Sequence, residues 1–362
     1  MVMEVRQEML DQLNQLNSEL DKSQKKINEL QEERRKYEIL KQKFLEVSNK
    51  AASENNCLKV DLKDLQKCQL HTSEINSIIN SYNGDMVATC GNDGDVRFYS
   101  PSKDLSSWLF KAQTLGEIPT CISFGLDNEN FVSGTTDKKV HLWSLSKQKL
   151  VHTFSGHTEA ITSVVFTKDM TRIVSSSNDK TIKVWDFYYK KVLLETIECD
   201  SVCNVLAMIN DKNQILTGHQ DGTARIYSLK SKEVVKVYKD LHTASITSLS
   251  LDKDLRICLT GSKDNTIKMI DLRAEKVLPV EFKHENYANS YEYNKAAFYK
   301  EGRYVIAGSD NSKVFIWNRE TGKLLAILEA GNVGMITGCC YNLVSSKAYS
   351  VDSSGSIVVW AI

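Results

Sequence analysis

Ser177-Asn178-Asp179-Lys180-Thr181-Ile182-Lys183-Val184-Trp185 reads as a tight polar turn running into a short strand of alternating β-branched residues that ends on an aromatic ring. Short apolar alternation bounded by Asn and Asp is the signal for an antiparallel strand and its turn. The stretch is one of seven. Thr135-Thr136-Asp137 to Trp143 and Gly91-Asn92-Asp93-Gly94 to Tyr99 stand before it. His219-Gln220-Asp221-Gly222 to Tyr227, Ser262-Lys263-Asp264-Asn265 to Ile270, Ser309-Asp310-Asn311-Ser312 to Trp317, and Asp352-Ser353-Ser354-Gly355 to Trp360 follow it. The closing residues 99, 143, 185, 227, 270, 317 and 360 are separated by 44, 42, 42, 43, 47 and 43 positions.

Seven strand-rich repeats of this period resemble those of the WD40 family and imply an all-β, seven-bladed WD40 β-propeller. One repeat carries the family's full pattern: Gly156-His157, Ser175, Asp179 and Val184-Trp185-Asp186. In that family these residues mark a structural network within one blade, so His157, Ser175, Asp179 and Trp185 are assigned to it. His71 with Thr89, Asp93 and Tyr99, and His242 with Thr260 and Asp264, are partial copies, Ile270 replacing the aromatic residue in the latter.

Outward from the repeats, the first 65 residues contain neither glycine nor proline. A heptad frame with Leu13, Leu20, Ile27 and Leu62 at a places Val2, Met9, Leu16, Leu30, Tyr37, Phe44, Ala51, Leu58 and Leu65 at d, broken by Ser23. Such a seam predicts an N-terminal α-helical coiled coil. Its interface is assigned to Met9, Leu13, Leu16, Leu20, Ile27, Leu30, Tyr37 and Phe44, and it implies a homodimer. The domain division is then a coiled-coil helix at 1–60 and the propeller at 61–362. Trp360 ends a third strand, so the outer strand of the last blade is expected from about 65–70, because an open ring would expose an unpaired edge.

Composition narrows the function. The 362 residues are 41% hydrophobic and 25% charged, ordinary for a globular protein. With 46 basic and 46 acidic residues the formal charge is zero, which argues against a nucleic-acid partner. No apolar run reaches spanning length and the first residues lack a signal-peptide layout, so a cytoplasmic protein is expected, with any membrane association peripheral or indirect. The nine cysteines are scattered, and Cys199 and Cys203 have no second ligand pair, so neither disulfides nor zinc are implied. Gly322-Lys323 lacks the rest of a phosphate loop, and His284-Glu285 meets Ala288 where a second zinc-binding His would stand. No catalytic, cofactor or metal site is expected, and the chain reads as a non-enzymatic scaffold whose propeller loops bind other proteins or peptides.

The last four repeats carry a closer resemblance. Leu216-Thr217-Gly218-His219-Gln220-Asp221-Gly222, Ile267-Lys268-Met269-Ile270-Asp271-Leu272-Arg273, Gly302-Arg303-Tyr304-Val305-Ile306-Ala307-Gly308-Ser309, Phe315-Ile316-Trp317 with Thr321-Gly322-Lys323, and Ser350-Val351-Asp352 with Val359-Trp360-Ala361 are similar to the WD40-repeat form of the autophagy-related protein 16 family. That family has a dimerising coiled coil before its propeller. The resemblance implies a scaffold that recruits the conjugate of autophagy-related proteins 12 and 5, through protein 5, to the forming autophagosome membrane. There it directs attachment of autophagy-related protein 8 to lipid, at the phagophore assembly site. The family's segment for protein 5 lies ahead of its coiled coil, whereas here the heptads begin almost at Met1 and no Trp precedes Trp108. A G-protein β-like subunit, also a coiled-coil helix followed by seven blades, or another WD40 protein-interaction scaffold is the alternative.

Overall fold

The computed structural model describes residues 66–101, 108–113, 117–188, 193–209, 213–291, 294–329 and 334–361. The heptad positions, and with them every residue assigned to the coiled-coil interface, lie outside the described residues. The chain divides into two units, Met1–Val60 and Asp61–Ile362, and the described residues all belong to the second.

Alternating β-branched and polar residues fold into 28 strands among the described residues, arranged as seven four-stranded antiparallel sheets. Blade three shows the plan: inner strand Ile161–Phe166, then Arg172–Ser177, Thr181–Asp186 and outer strand Leu193–Glu198. The middle two strands are the most buried, and the outer strand alternates exposed and covered positions because one of its edges meets solvent. Inner strands of successive blades touch around the ring, and Ile336–Asn342 of blade seven touches Ile75–Asn80 of blade one. The ring is therefore closed. Blade seven takes its outer strand from Gln66–Gln69, which pairs antiparallel with Ser356–Ala361. Gln69 locks this seam, donating to the carbonyls of His71 and Ser354 and accepting from the Ser356 hydroxyl at 2.8 Å.

The apolar core lies between blades rather than within them. Val132, Leu142 and Phe154 of blade two pack with Ile161, Phe166 and Trp185 of blade three. At the ring's seam Ile75, Ile78 and Tyr99 of blade one pack with Tyr349, Val351 and Val359 of blade seven. Backbone conformation repeats as well. The residue after each turn Asp, or after its equivalents Asn311 and Ser354, has positive φ in all seven blades: Gly94, Lys138, Lys180, Gly222, Asn265, Ser312 and Gly355. At Gly222 and Gly355 a side chain would also strike the carbonyl oxygens of His242 and His71, so only glycine fits there.

Candidate functional site

Blade three brings His157, Ser175, Asp179 and Trp185 together. His157 is buried on the loop before the inner strand, Ser175 lies on the second strand, Asp179 in the turn and Trp185 on the third strand. His157 Nδ1 lies 2.8 Å from Asp179 Oδ2, and Nε2 lies 2.8 Å from Ser175 Oγ, which also accepts from Trp185 Nε1 at 2.8 Å. An ionised carboxylate only accepts, so His157 carries its proton on Nδ1 and Nε2 accepts from the Ser175 hydroxyl. Burial would raise the Asp179 carboxyl, but hydrogen bonds from Thr181, the Thr158 N–H and His157 hold it down at about 2. Burial pushes His157 below the ordinary histidine range, so the ring is neutral. Every polar atom of the set is used internally, which makes it a brace between turn and strands rather than a reactive centre.

Blades one and five repeat the brace with a threonine. His71 reaches Asp93 at 2.8 Å and Thr89 at 2.9 Å, and His242 reaches Asp264 and Thr260, both at 2.9 Å. Ile270, where the indole would stand, packs into the apolar core instead. The other blades substitute. In blade four Cys199 stands where His157 stands in blade three; His219, at the end of the strand Gln214–His219, donates to the Ser201 carbonyl at 3.1 Å and accepts from Thr217 at 2.7 Å. Burial, with the Arg225 charge, pushes His219 down to about 4. In blade six Ala307 replaces the serine, and the buried Trp317 indole N–H has no partner among the described residues. In blade seven Trp360 keeps its bond to Ser350 at 2.9 Å, while Asp352 caps the turn through the Ser354 and Ser356 N–H groups.

Around the central channel a second repeating set appears. Asn76, Thr120, Thr162, Asn204, Thr247, Asn294 and Thr337 each stand 23 residues before the closing residue of their repeat. Six of them donate to a backbone carbonyl of the next blade: Asn76 to Pro119, Thr120 to Ile161, Thr162 to Cys203, Asn204 to Ile246, Thr247 to Asn294 and Thr337 to Ile75. Asn294 turns to Gly308 of its own blade, and blades six and seven are joined by the Ile336 N–H donating to Ser309. Inside this ring is a cavity of about 440 Å³, meeting a second of about 590 Å³ lined by the turn residues Thr136, Asn178, Gln220 and Lys263. No group of three or more His, Cys, Asp or Glu residues that could hold a metal occurs among the described residues.

Known proteins resemble the chain along most of its length. The repeat described as WD domain, G-beta repeat matches residues 62–100, 108–144, 148–186 and 233–271. Autophagic-related protein 16.2 of Caenorhabditis elegans is 28% identical over 299 residues, 81% of this chain and 55% of that protein. Protein tipD of Dictyostelium discoideum is 29% identical over 295 residues, 80% of this chain and 47% of its own length. Autophagy-related protein 16 of Arabidopsis thaliana is 25% identical over 292 residues, 80% and 56% respectively. The chain carries WD40 repeats and is similar, over at least 80% of its length, to proteins named for autophagy. The chain spans about half the length of the curated relatives it matches.

The WD40 pattern is matched in the first, second, third and fifth blades, three of which carry the His-Asp-Ser/Thr brace. The fourth, sixth and seventh repeats, outside those matches, each still form a complete four-stranded blade. Sequence reading that starts from the turns misses the Asn/Thr set. Its constant offset of 23 residues was the available signal.

Proposed function

We propose that the protein is an autophagy scaffold. On this reading residues 1–60 dimerise through the heptad seam, and residues 61–362 present a rigid set of loops to protein partners. The whole recruits the conjugate of autophagy-related proteins 12 and 5, through protein 5, to the forming autophagosome membrane, where protein 8 is joined to lipid. The protein acts by positioning the ligase and performs no chemistry itself. Its place is cytoplasmic and peripheral, at the phagophore assembly site.

The observation that carries this is the similarity to proteins named for autophagy over 80% or more of the chain, from a nematode and a plant. The geometry is consistent with it. The His-Asp-Ser/Thr groups are fully engaged in bracing, which leaves loops and channel mouths as the surfaces a partner can use. Binding of the purified conjugate to the intact chain and to residues 66–362 tests the reading. Capture by the intact chain alone is the expected result; capture by neither rules out the recruitment role.

A further inference from the structure

Where the inner strands enter the channel, the residue following each Asn/Thr position is Ser77, Cys121, Ser163, Val205, Ser248, Lys295 or Gly338. Six are small and neutral. Only blade six places a charge at this position in the channel wall. Lys295 is half-buried, lines the 440 Å³ cavity, and donates through Nζ to Ser77 Oγ of blade one at 2.7 Å. Gly338 holds the equivalent position in blade seven, between these two blades.

No carboxylate answers this ammonium among the described residues. Asp and Glu make up 46 of the 362 residues, yet among the described residues neither cavity is lined by a single one. The thiols beside Lys295 do not supply the missing charge, since burial pushes Cys121 up and Cys340 up to about 12. A cation taken from water into a wall of this kind carries a desolvation cost that one neutral hydroxyl offsets poorly. Burial accordingly pulls Lys295 below the ordinary lysine range. A cavity of about 440 Å³ lies within the range of small-ligand sites.

We propose that the central channel is a binding site for a single carboxylate, held by Lys295 as its charge partner and reached along the inner strands. The ligand class is a small carboxylate or an acidic side chain on an inserted peptide. One cation answers one negative charge, and the neutral hydroxyls and apolar groups around it, Ser123, Ile122 and Leu249 among them, accommodate a short aliphatic stem. The site belongs to the propeller itself and stands apart from the autophagy reading.

The test follows the side-chain signal of Lys295 in lysine-labelled intact protein, assigned by its loss in Lys295→Met. Three probes are titrated: butyrate as a free carboxylate, N-acetylglutamate amide as a peptide side chain, and inorganic phosphate. A saturable shift with either carboxylate, weakened at least about tenfold in Lys295→Met as read from backbone signals of the channel wall, supports the site, and the tighter of the two identifies the source. Lys295→Ser, which installs the residue of blades one, three and five, is expected to keep the folded spectrum and abolish the response. No saturable shift, an equal response in both variants, or a response to phosphate alone overturns the proposal.

Discussion

Single hydroxyls decide how well each blade is braced. Ser175 serves two buried groups at once, the imidazole of His157 and the indole of Trp185. Ser175→Ala leaves His157 Nε2 and the Trp185 N–H without partners and is expected to lower stability by about 1–3 kcal/mol in urea unfolding. The converse change sits in blade six. Ala307→Ser would give the Trp317 N–H the partner it lacks, and a gain of about 0.5–1.5 kcal/mol is expected. Charge adds a pH dependence of known sign. His157 and His219 have depressed values in the fold, so the unfolded chain binds more protons below about 6.5 and stability falls as the pH drops through that range. Asp93 and Asp179, held at about 2, contribute stability that is complete above about 4 and lost as the pH falls through 2. Thermal unfolding between pH 7 and 2 should show both declines, and Asp179→Asn should flatten the second.

Strands and turns were legible where they repeat and obscure where they do not. The turn Asp and the closing aromatic recur at fixed distances, which is enough to count seven blades even though Ile270 breaks the pattern. The Asn/Thr position hides because it follows no local motif; its meaning depends on a carbonyl of the neighbouring blade that only the closed ring brings near. His219 illustrates the same limit, since its polar role is set by tertiary contacts rather than by spacing. Packing between blades is equally invisible in one repeat. Gly134, Gly218 and Gly308 leave room for Ile161, Ile246 and Ile336, each the first residue of the next blade's inner strand. Gly308→Ala forces Ile336 outward at the junction that lacks an Asn/Thr stitch. A loss of about 1–3 kcal/mol is expected in denaturant unfolding, against a near-neutral effect for Ala at exposed Ser231.

For the whole molecule, closure and assembly are separate matters. Closure rests on Gln66–Gln69 and the Gln69 contacts to blade seven. Deleting residues 66–69 exposes the edge of Ser356–Ala361 and should lower the propeller's thermal midpoint and broaden its transition; an unchanged transition would contradict the role of this strand. The zero net charge of the chain leaves association with any partner to specific contacts rather than to a general field. The central claim is that the intact chain positions the protein 8 conjugation machinery on membranes. Its most direct test is reconstitution on liposomes with purified conjugation enzymes, measuring the rate at which protein 8 becomes lipid-linked with and without this chain. The account predicts that the intact chain raises that rate and that residues 66–362 alone do not; no change with the intact chain would contradict it.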